Sequence, residues 1–214
     1  MGRLARRVGL LLVCGIAALA LTGFAAPQRA YEEASRSWAA ATLKEWLDRG
    51  WLQGYADGTI QADEPVTRAE LATLINRAFG LTEKAEALSY PDVRTEKWEY
   101  DEVAKGVRAG YAAGYADGEF KPGQAASRQE AAQWLANVLG LDPSRDDLFG
   151  FADAADVDDA SRGAVAVLAA YGIVRGFPDG TFRPASPLSR ASAIVMVDAA
   201  RRADADYLLR ELAH

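Results

Sequence analysis

Thiols and imidazoles are nearly absent from this chain of 214 residues. Its one cysteine is Cys14 and its one histidine is His214. Without histidine elsewhere, a Ser-His-Asp triad or a histidine-rich metal centre is excluded. Cys14 lies inside an apolar N-terminal run, so the remainder has neither thiol nor disulfide and stability must come from packing. An excess of basic residues is missing too: 24 Lys and Arg stand against 30 Asp and Glu, for a formal net charge of −6. That balance argues against nucleic acid, whose affinity rests on neutralised phosphates, and against anionic membrane surfaces. Disorder is disfavoured, because 50% of the residues are hydrophobic and a core can form.

Long apolar runs are confined to the N-terminal segment. Arg3, Arg6 and Arg7 precede the 19 apolar or small residues of Val8–Ala26. Basic, apolar and small-residue parts in that order make a secretory signal peptide over 1–25, cut after Ala25 with Gly23 at −3. The alternative is an uncleaved membrane anchor, since a spanning helix needs about 20 apolar residues. Cys14 sits within the run rather than at its end, against a lipoprotein. Loss of 1–25 removes three arginines and no acids, taking the net charge from −6 to −9.

What the chain does have is internal repetition. GYADGTI (54–60), GYADGEF (114–120) and GFPDGTF (176–182) align at offsets of 60 and 62. Upstream, Trp38 matches Trp98, Leu43 matches Val103, and Gly50 matches Gly110 and Gly172. Downstream, Leu71, Leu74, Ile75, Ala78 and Phe79 match Ala131, Trp134, Leu135, Val138 and Leu139. Their i, i+3, i+4, i+7, i+8 spacing is one apolar stripe of a helix. The first two copies end in Gly-Leu at 80–81 and 140–141, and such a glycine suits the left-handed residue after a helix. Segments near 37–49, 99–109 and 160–171 also read as helices. Each repeat is then helix, Gly-rich loop, helix. One unit cannot bury its stripe alone, so three are expected to pack as one mainly α, pseudo-threefold bundle. The segments are 31–88, 89–149 and 150–202, with a helical extension over 203–214 whose Tyr207, Leu208 and Leu212 pack on the bundle or meet a partner.

Taken together the motifs resemble the S-layer homology (SLH) family. They run in order: aromatic-x-Asp, a Trp about six residues on, a helix ending in Gly, G-x-x-D-G-x-[FI], then [ST]-R-x-E. YPDV…W…GYAAGYADGEFKPGQAASRQE (90–130) carries every element. Copy 1 has Ala30 and Glu32 in place of aromatic and Asp. Copy 3 has Phe151 and Asp153 but Ala160 near the Trp position, and Ser192 for the last Glu. The resemblance implies a spindle-like, three-repeat domain around a central helical bundle. It implies grooves between repeats that bind secondary cell-wall polysaccharide, often through acidic pyruvate ketals. It further implies non-covalent anchoring at the bacterial cell surface; secretion is expected from the signal segment, and no cofactor or enzymatic activity is expected from the residues present.

Thr67 with Glu70, and Ser127 with Glu130, have the spacing of capping boxes, and Ser189 stands at the same place in copy 3. Capping leaves Arg68, Arg128 and Arg190 over. At the first helical position a cation is mildly unfavourable, by roughly 0.3–1 kcal/mol. Two readings resolve it. An anionic ligand is held by the guanidinium fork and the helix N-terminus, or the arginine pairs with an Asp of a neighbouring repeat or is simply inherited from duplication. Trp38 and Trp98 are candidates for sugar stacking or for core packing. Asp92 and Asp153 are candidates for bonding sugar hydroxyls or for capping the next segment. Gly54, Gly114 and Gly176 are candidates for close approach of a ligand to the backbone. Asp57, Asp117 and Asp179 read as turn residues. DAADVDDA (153–160) lacks the pattern of a calcium loop and reads as a solvated loop, so no metal is expected.

Two alternatives to a glycan-binding module follow. One is a structural or adaptor protein with a protein partner at the surface. The other is a secreted glycoside hydrolase using paired carboxylates. The hydrolase is disfavoured, because the acids that stand out recur in every repeat, whereas a catalytic pair needs two unlike environments.

Overall fold

The computed structural model of the chain describes residues 28–144 and 150–212. The expected signal segment lies outside the described residues. So do the side chains of Tyr207, Leu208 and Leu212. The described residues are helix-rich and contain no extended strand. In chain order the helices are α1 (28–36), α2 (Ala40–Asp48), α3 (Arg68–Ala78), α4 (Glu99–Arg108), α5 (Arg128–Val138), α6 (Asp159–Ala170) and α7 (Arg190–Leu212). A single 3-10 turn, Ala154–Asp156, precedes α6. The chain divides into two compact units, Met1–Ala62 and Asp63–His214. The division falls inside the first repeat, between its loop and its second helix.

The first unit holds α1, α2 and the loop that follows. Ala30, Ala34, Leu43, Trp46, Leu52 and Ile60 are buried. Burial of a side chain such as Leu43 is worth about 1.5–3 kcal/mol. Trp46 meets Trp51 edge to face at 5.6 Å. Gly50 ends α2 at φ +70. Helix α1 was not expected from the sequence. Its Glu33 carboxylate reaches forward to accept the amides of Ile60 and Ala62, both at 2.7 Å.

The second unit is built on a cycle of three bridges. Pro65 pairs with Ser189, Thr67 with Ala125, and Ser127 with Pro187. Within it the Val66 amide donates to the Leu188 carbonyl, Leu188 to Ala126, and Ala126 back to Val66, each at 2.9 Å. All three residues are buried and stand 60 and 62 positions apart. The threefold repetition of the sequence thus closes on itself through backbone bonds. Around this cycle α3 packs on α4, α5 on α6, and α7 on both α3 and α5. The second helix of one repeat therefore packs on the first helix of the next.

Helix ends follow local chemistry. Both expected capping boxes form: the Thr67 and Ser127 hydroxyls accept the amides of Glu70 and Glu130, whose carboxylates accept the Thr67 and Ser127 amides. In α7 the Ser189 hydroxyl accepts the Ser192 amide at 3.3 Å. Gly80 and Gly140 end α3 and α5 at φ +65 and +61. The Leu81 amide bonds Asn76 O and the Leu141 amide bonds Ala136 O, the pattern of a Schellman motif. At the matching place α7 carries Arg202, and the helix continues to Leu212.

The segment DAADVDDA is solvated as expected, with Asp156, Asp158 and Asp159 exposed, but it is not a loop. It forms the 3-10 turn and the start of α6, with Val157 buried. The Asp158 carboxylate accepts Gln129 Nε2 at 2.6 Å while the Asp158 amide donates back to Gln129 Oε1. That partner lies 29 residues away, beyond the reach of any local pattern.

Candidate functional site

The site is assembled where each second helix begins. There the helix N-terminus meets the loop of the following repeat. The Arg68 and Ala69 amides donate to Gln124 O and Pro122 O, and the Arg128 and Gln129 amides to Ser186 O and Pro184 O. The third amide of each helix is taken by the capping hydroxyl. These N-termini are therefore already satisfied. The expectation that they hold an anion gives way to carbonyls of the neighbouring loop.

Arg68 lies almost wholly buried, 2% exposed. Its Nε donates to Phe120 O at 2.8 Å, its Nη2 to Ala113 O at 2.8 Å, and its Nη1 to Glu130 Oε1 at 2.6 Å. The rings of Tyr115, Phe120 and Trp134 surround it at 4.5, 4.7 and 4.9 Å. Arg190 pairs with Glu70 at 3.2 Å. Arg68 and Arg190 therefore both engage an acid of another repeat, as the internal-pair reading expected. The acid is the capping Glu, not an Asp.

Arg128 differs. Its Nε donates to Phe182 O at 2.7 Å and its Nη2 to Arg175 O at 3.1 Å, with Phe177 and Phe182 rings at 4.8 and 4.9 Å. By the spacing of the other pairs its carboxylate would come from residue 192, which is Ser192. Among the described residues Arg128 makes no ion pair, and Nη1 donates to no acceptor. Burial lowers the Arg128 pKa, and the positive charge of Arg183 lowers it further against the pull of Asp153.

The Glu130 cluster shows what the copy-3 position lacks. The Tyr115 hydroxyl donates to Glu130, and Gln124 Nε2 donates to that hydroxyl at 2.9 Å. Burial and the Glu130 bond push the Tyr115 phenol from 10.0 up to about 12. Burial pushes Glu130 up as well. Its bonds from Tyr115 and Ser127 and the Arg68 charge outweigh that and hold it below its ordinary range. Sequence reasoning missed Tyr115; the signal was the change from GYADG to GFPDG, which removes the hydroxyl in the copy that also lost its Glu.

The remaining expected residues have other duties. The Asp92 carboxylate accepts the Phe120 and Lys121 amides at 3.0 and 2.6 Å. Asp153 accepts the Phe182 and Arg183 amides, both at 2.7 Å. They do not cap the segments that follow them. Each clips its repeat's loop 28–30 residues on and holds Lys121 and Arg183 at φ +57, an uncommon conformation for a side-chain-bearing residue. In copy 1 the clip is Glu33, not the aligned Glu32, because the longer side chain reaches from one position later.

Gly114 and Gly176 leave room for protein. A Cβ on Gly114 would lie 2.5 Å from the Tyr90 ring, and one on Gly176 would lie 3.0 Å from Phe151. Gly54 faces Thr59 O at 3.0 Å. The space expected for a ligand beside Gly114 and Gly176 is filled by the aromatic of the aromatic-x-Asp pair. Asp57, Asp117 and Asp179 accept the amide two residues on, as turn residues do. Trp38 and Trp98 are 68% and 61% exposed, so the core-packing alternative does not hold for either. Among the described residues no cluster of acids, cysteine or histidine could hold a metal ion. No described helix is long and apolar enough to cross a membrane.

The family model described as S-layer homology domain matches residues 33–72, 89–132 and 150–194, more than half of the chain. The chain belongs to the S-layer homology domain family. Several curated proteins are similar to this SLH chain. A surface-layer 125 kDa protein of Lysinibacillus sphaericus is 29% identical over 72% of this chain and 13% of its own length. A cellulosome-anchoring protein of Acetivibrio thermocellus is 24% identical over 69% of this chain and 34% of its own. An amylopullulanase of Thermoanaerobacterium thermosulfurigenes is 25% identical over 79% of this chain and 9% of its own. The SLH chain thus spans about an eighth of the surface-layer protein and about a third of the anchoring protein. Family and relatives together support a cell-surface anchoring module.

Proposed function

We propose that this chain is a secreted, non-catalytic module that attaches to an acidic secondary cell-wall polysaccharide. The observation that carries this reading is Arg128, a guanidinium 8% exposed that forms no ion pair with any described carboxylate, Asp153 acting on it only from a distance. A buried charge without a counter-charge is costly, and an acidic group on a glycan relieves that cost. The exposed ring of Trp98 adds an apolar face suited to the C–H surface of a sugar. Family membership supports the same reading. The recurring acids serve as loop clips and ion-pair partners, which suits attachment rather than general acid–base chemistry.

The test is retention of the purified chain on cell-wall sacculi before and after mild acid strips their polysaccharide. Binding lost on stripping is the expected result. Binding that survives stripping, or sugar released into the supernatant, overturns the proposal. Failure to bind sacculi, with a surface protein retained instead, favours the adaptor reading.

A further inference from the structure

We propose that a cavity between the C-terminal ends of α5 and α6 and the middle of α7 is a binding site for an alkylammonium group, a positively charged amine on an apolar stem. The cavity lies at the far end of α5 from Arg128, and the proposal does not rest on the polysaccharide reading above.

The cavity measures about 320 Å³, the size of a small-ligand site. Leu139 and Leu141 line it from the end of α5, Tyr171 and Ile173 from the end of α6, and Asp204 from α7. Ile173 is buried, whereas the Tyr171 ring is 61% exposed. These side chains give an apolar wall for a stem and an aromatic face for a cation. The charged residues in the lining are two acids, Asp142 and Asp204, and no base. The Ser144 amide and hydroxyl, both at 2.9 Å, hold the Asp142 carboxyl below its ordinary range. A carboxylate has about four acceptor sites, so Asp142 keeps capacity for a further donor. Asp204 pairs with no cation among the described residues.

The backbone adds charge of the same sign. A helix carries negative partial charge at its C-terminus, which a basic residue in the last turn offsets. Helix α3 has Arg77 there, and α4 has Lys105 and Arg108. Helices α5 and α6, whose ends line the cavity, have none. The residue four beyond Leu139 is Pro143, which has no amide to give. Among the described residues the Leu139 carbonyl accordingly receives no backbone amide. Two carboxylates and two helix ends thus favour a cation beside an apolar wall.

Duplication does not account for these residues. At the junction of the first two repeats, Thr82 stands where Asp142 stands here, and Ala109 where Tyr171 stands. Asp204 reaches the cavity because α7 continues past Arg202, whereas α3 and α5 stop at the matching glycines. The continuation of α7 thereby contributes one of the two acids.

The experiment follows the methyl resonances of Leu139, Leu141 and Ile173 in the purified chain by NMR as n-butylammonium chloride is added at constant ionic strength. Saturable shifts at all three are expected. Butanol has the same stem without the charge and is expected to bind at least tenfold more weakly. Asp142→Asn combined with Asp204→Asn is expected to weaken butylammonium binding at least tenfold, with the butanol response and Tm nearly unchanged. The second probe is acetyl-lysine methylamide. Saturation by it as well supports the site and assigns it to a lysine side chain of a polypeptide; saturation by butylammonium alone supports the site and assigns it to a free amine. No saturable shift, or an equal response to butanol, overturns the proposal without any variant. Undiminished butylammonium affinity in the folded double variant overturns it too.

Discussion

Arg68 Nη1 lies 2.6 Å from Glu130 Oε1, 62 residues further along the chain. The same carboxylate caps α5 through the Ser127 amide at 2.8 Å. One side chain thus joins a local signal to a contact between repeats. Replacing Glu130 with Ala removes both and leaves a buried guanidinium unpaired. A loss of about 3–5 kcal/mol is expected from the broken ion pair. Ser127→Ala removes the cap alone and is expected to cost about 1 kcal/mol. Urea denaturation of the two variants measures the difference; equal costs would show that the ion pair contributes nothing.

Glycines of similar appearance should respond very differently. A methyl group on Gly114 meets the Tyr90 ring at 2.5 Å and Glu119 O at 2.6 Å. Gly114→Ala must push Tyr90 aside and is expected to cost about 1–3 kcal/mol. Gly123 has nothing within 4 Å and no left-handed φ. Gly123→Ala is expected to stay within about 0.5 kcal/mol of the parent. Thermal unfolding of both variants checks the contrast.

Much of this architecture was legible in sequence. Capping boxes and terminal glycines act over three to six residues, so Thr67, Glu70, Ser127, Glu130, Gly80 and Gly140 could be read directly. The destinations of the arginines could not. Arg68 finds its acceptors 45, 52 and 62 residues away, and no local pattern encodes that reach. The clip in copy 1 was obscured because Glu33 does with a longer side chain what Asp92 does with a shorter one. Trp38 and Trp98 began the expected helices, but composition gave no sign of which way their rings faced.

Stability should fall at both ends of the pH scale, for separate reasons. Glu130 is held below its ordinary value of 4.5, so its contribution is present above 4.5 and is lost as pH falls through the lower folded value. Tyr115 titrates near 12 when folded against 10.0 otherwise. Its contribution is complete below pH 10.0 and declines as pH rises toward 12. Glu130→Gln is expected to flatten the acid limb and Tyr115→Phe part of the alkaline one, the buried Tyr111 phenol being raised as well. Urea midpoints across pH, parent against variant, decide this.

Trp98 offers a test of binding that does not disturb the fold. Its ring is 61% exposed and its side chain caps nothing. Trp98→Ala is expected to leave Tm nearly unchanged, as exposed substitutions do. Loss of a stacking contribution of about 0.5–1.5 kcal/mol would lower polysaccharide affinity roughly two- to tenfold. Unchanged affinity would remove Trp98 from the glycan surface.

The length of α7 should hinge on one residue. Gly80 and Gly140 turn the chain out of α3 and α5 at φ +65 and +61, and each is followed by a Leu whose amide closes the Schellman bond. In α7 Arg202 replaces that glycine, and its Nε reaches back to Asp198 Oδ2 at 2.7 Å, an i, i+4 pair that favours continuation. The helix accordingly runs 23 residues, against 11 in α3 and α5. Arg202→Gly removes the pair and weakens the helix interior by about 1 kcal/mol. The expected result is a helix that ends near Arg201, with about ten fewer helical residues by circular dichroism. The bundle lies N-terminal to that point, through Val197 and Ala200, so its cooperative unfolding transition should remain. A full-length α7 in the variant would show that the extension is held by packing rather than by the absence of a stop.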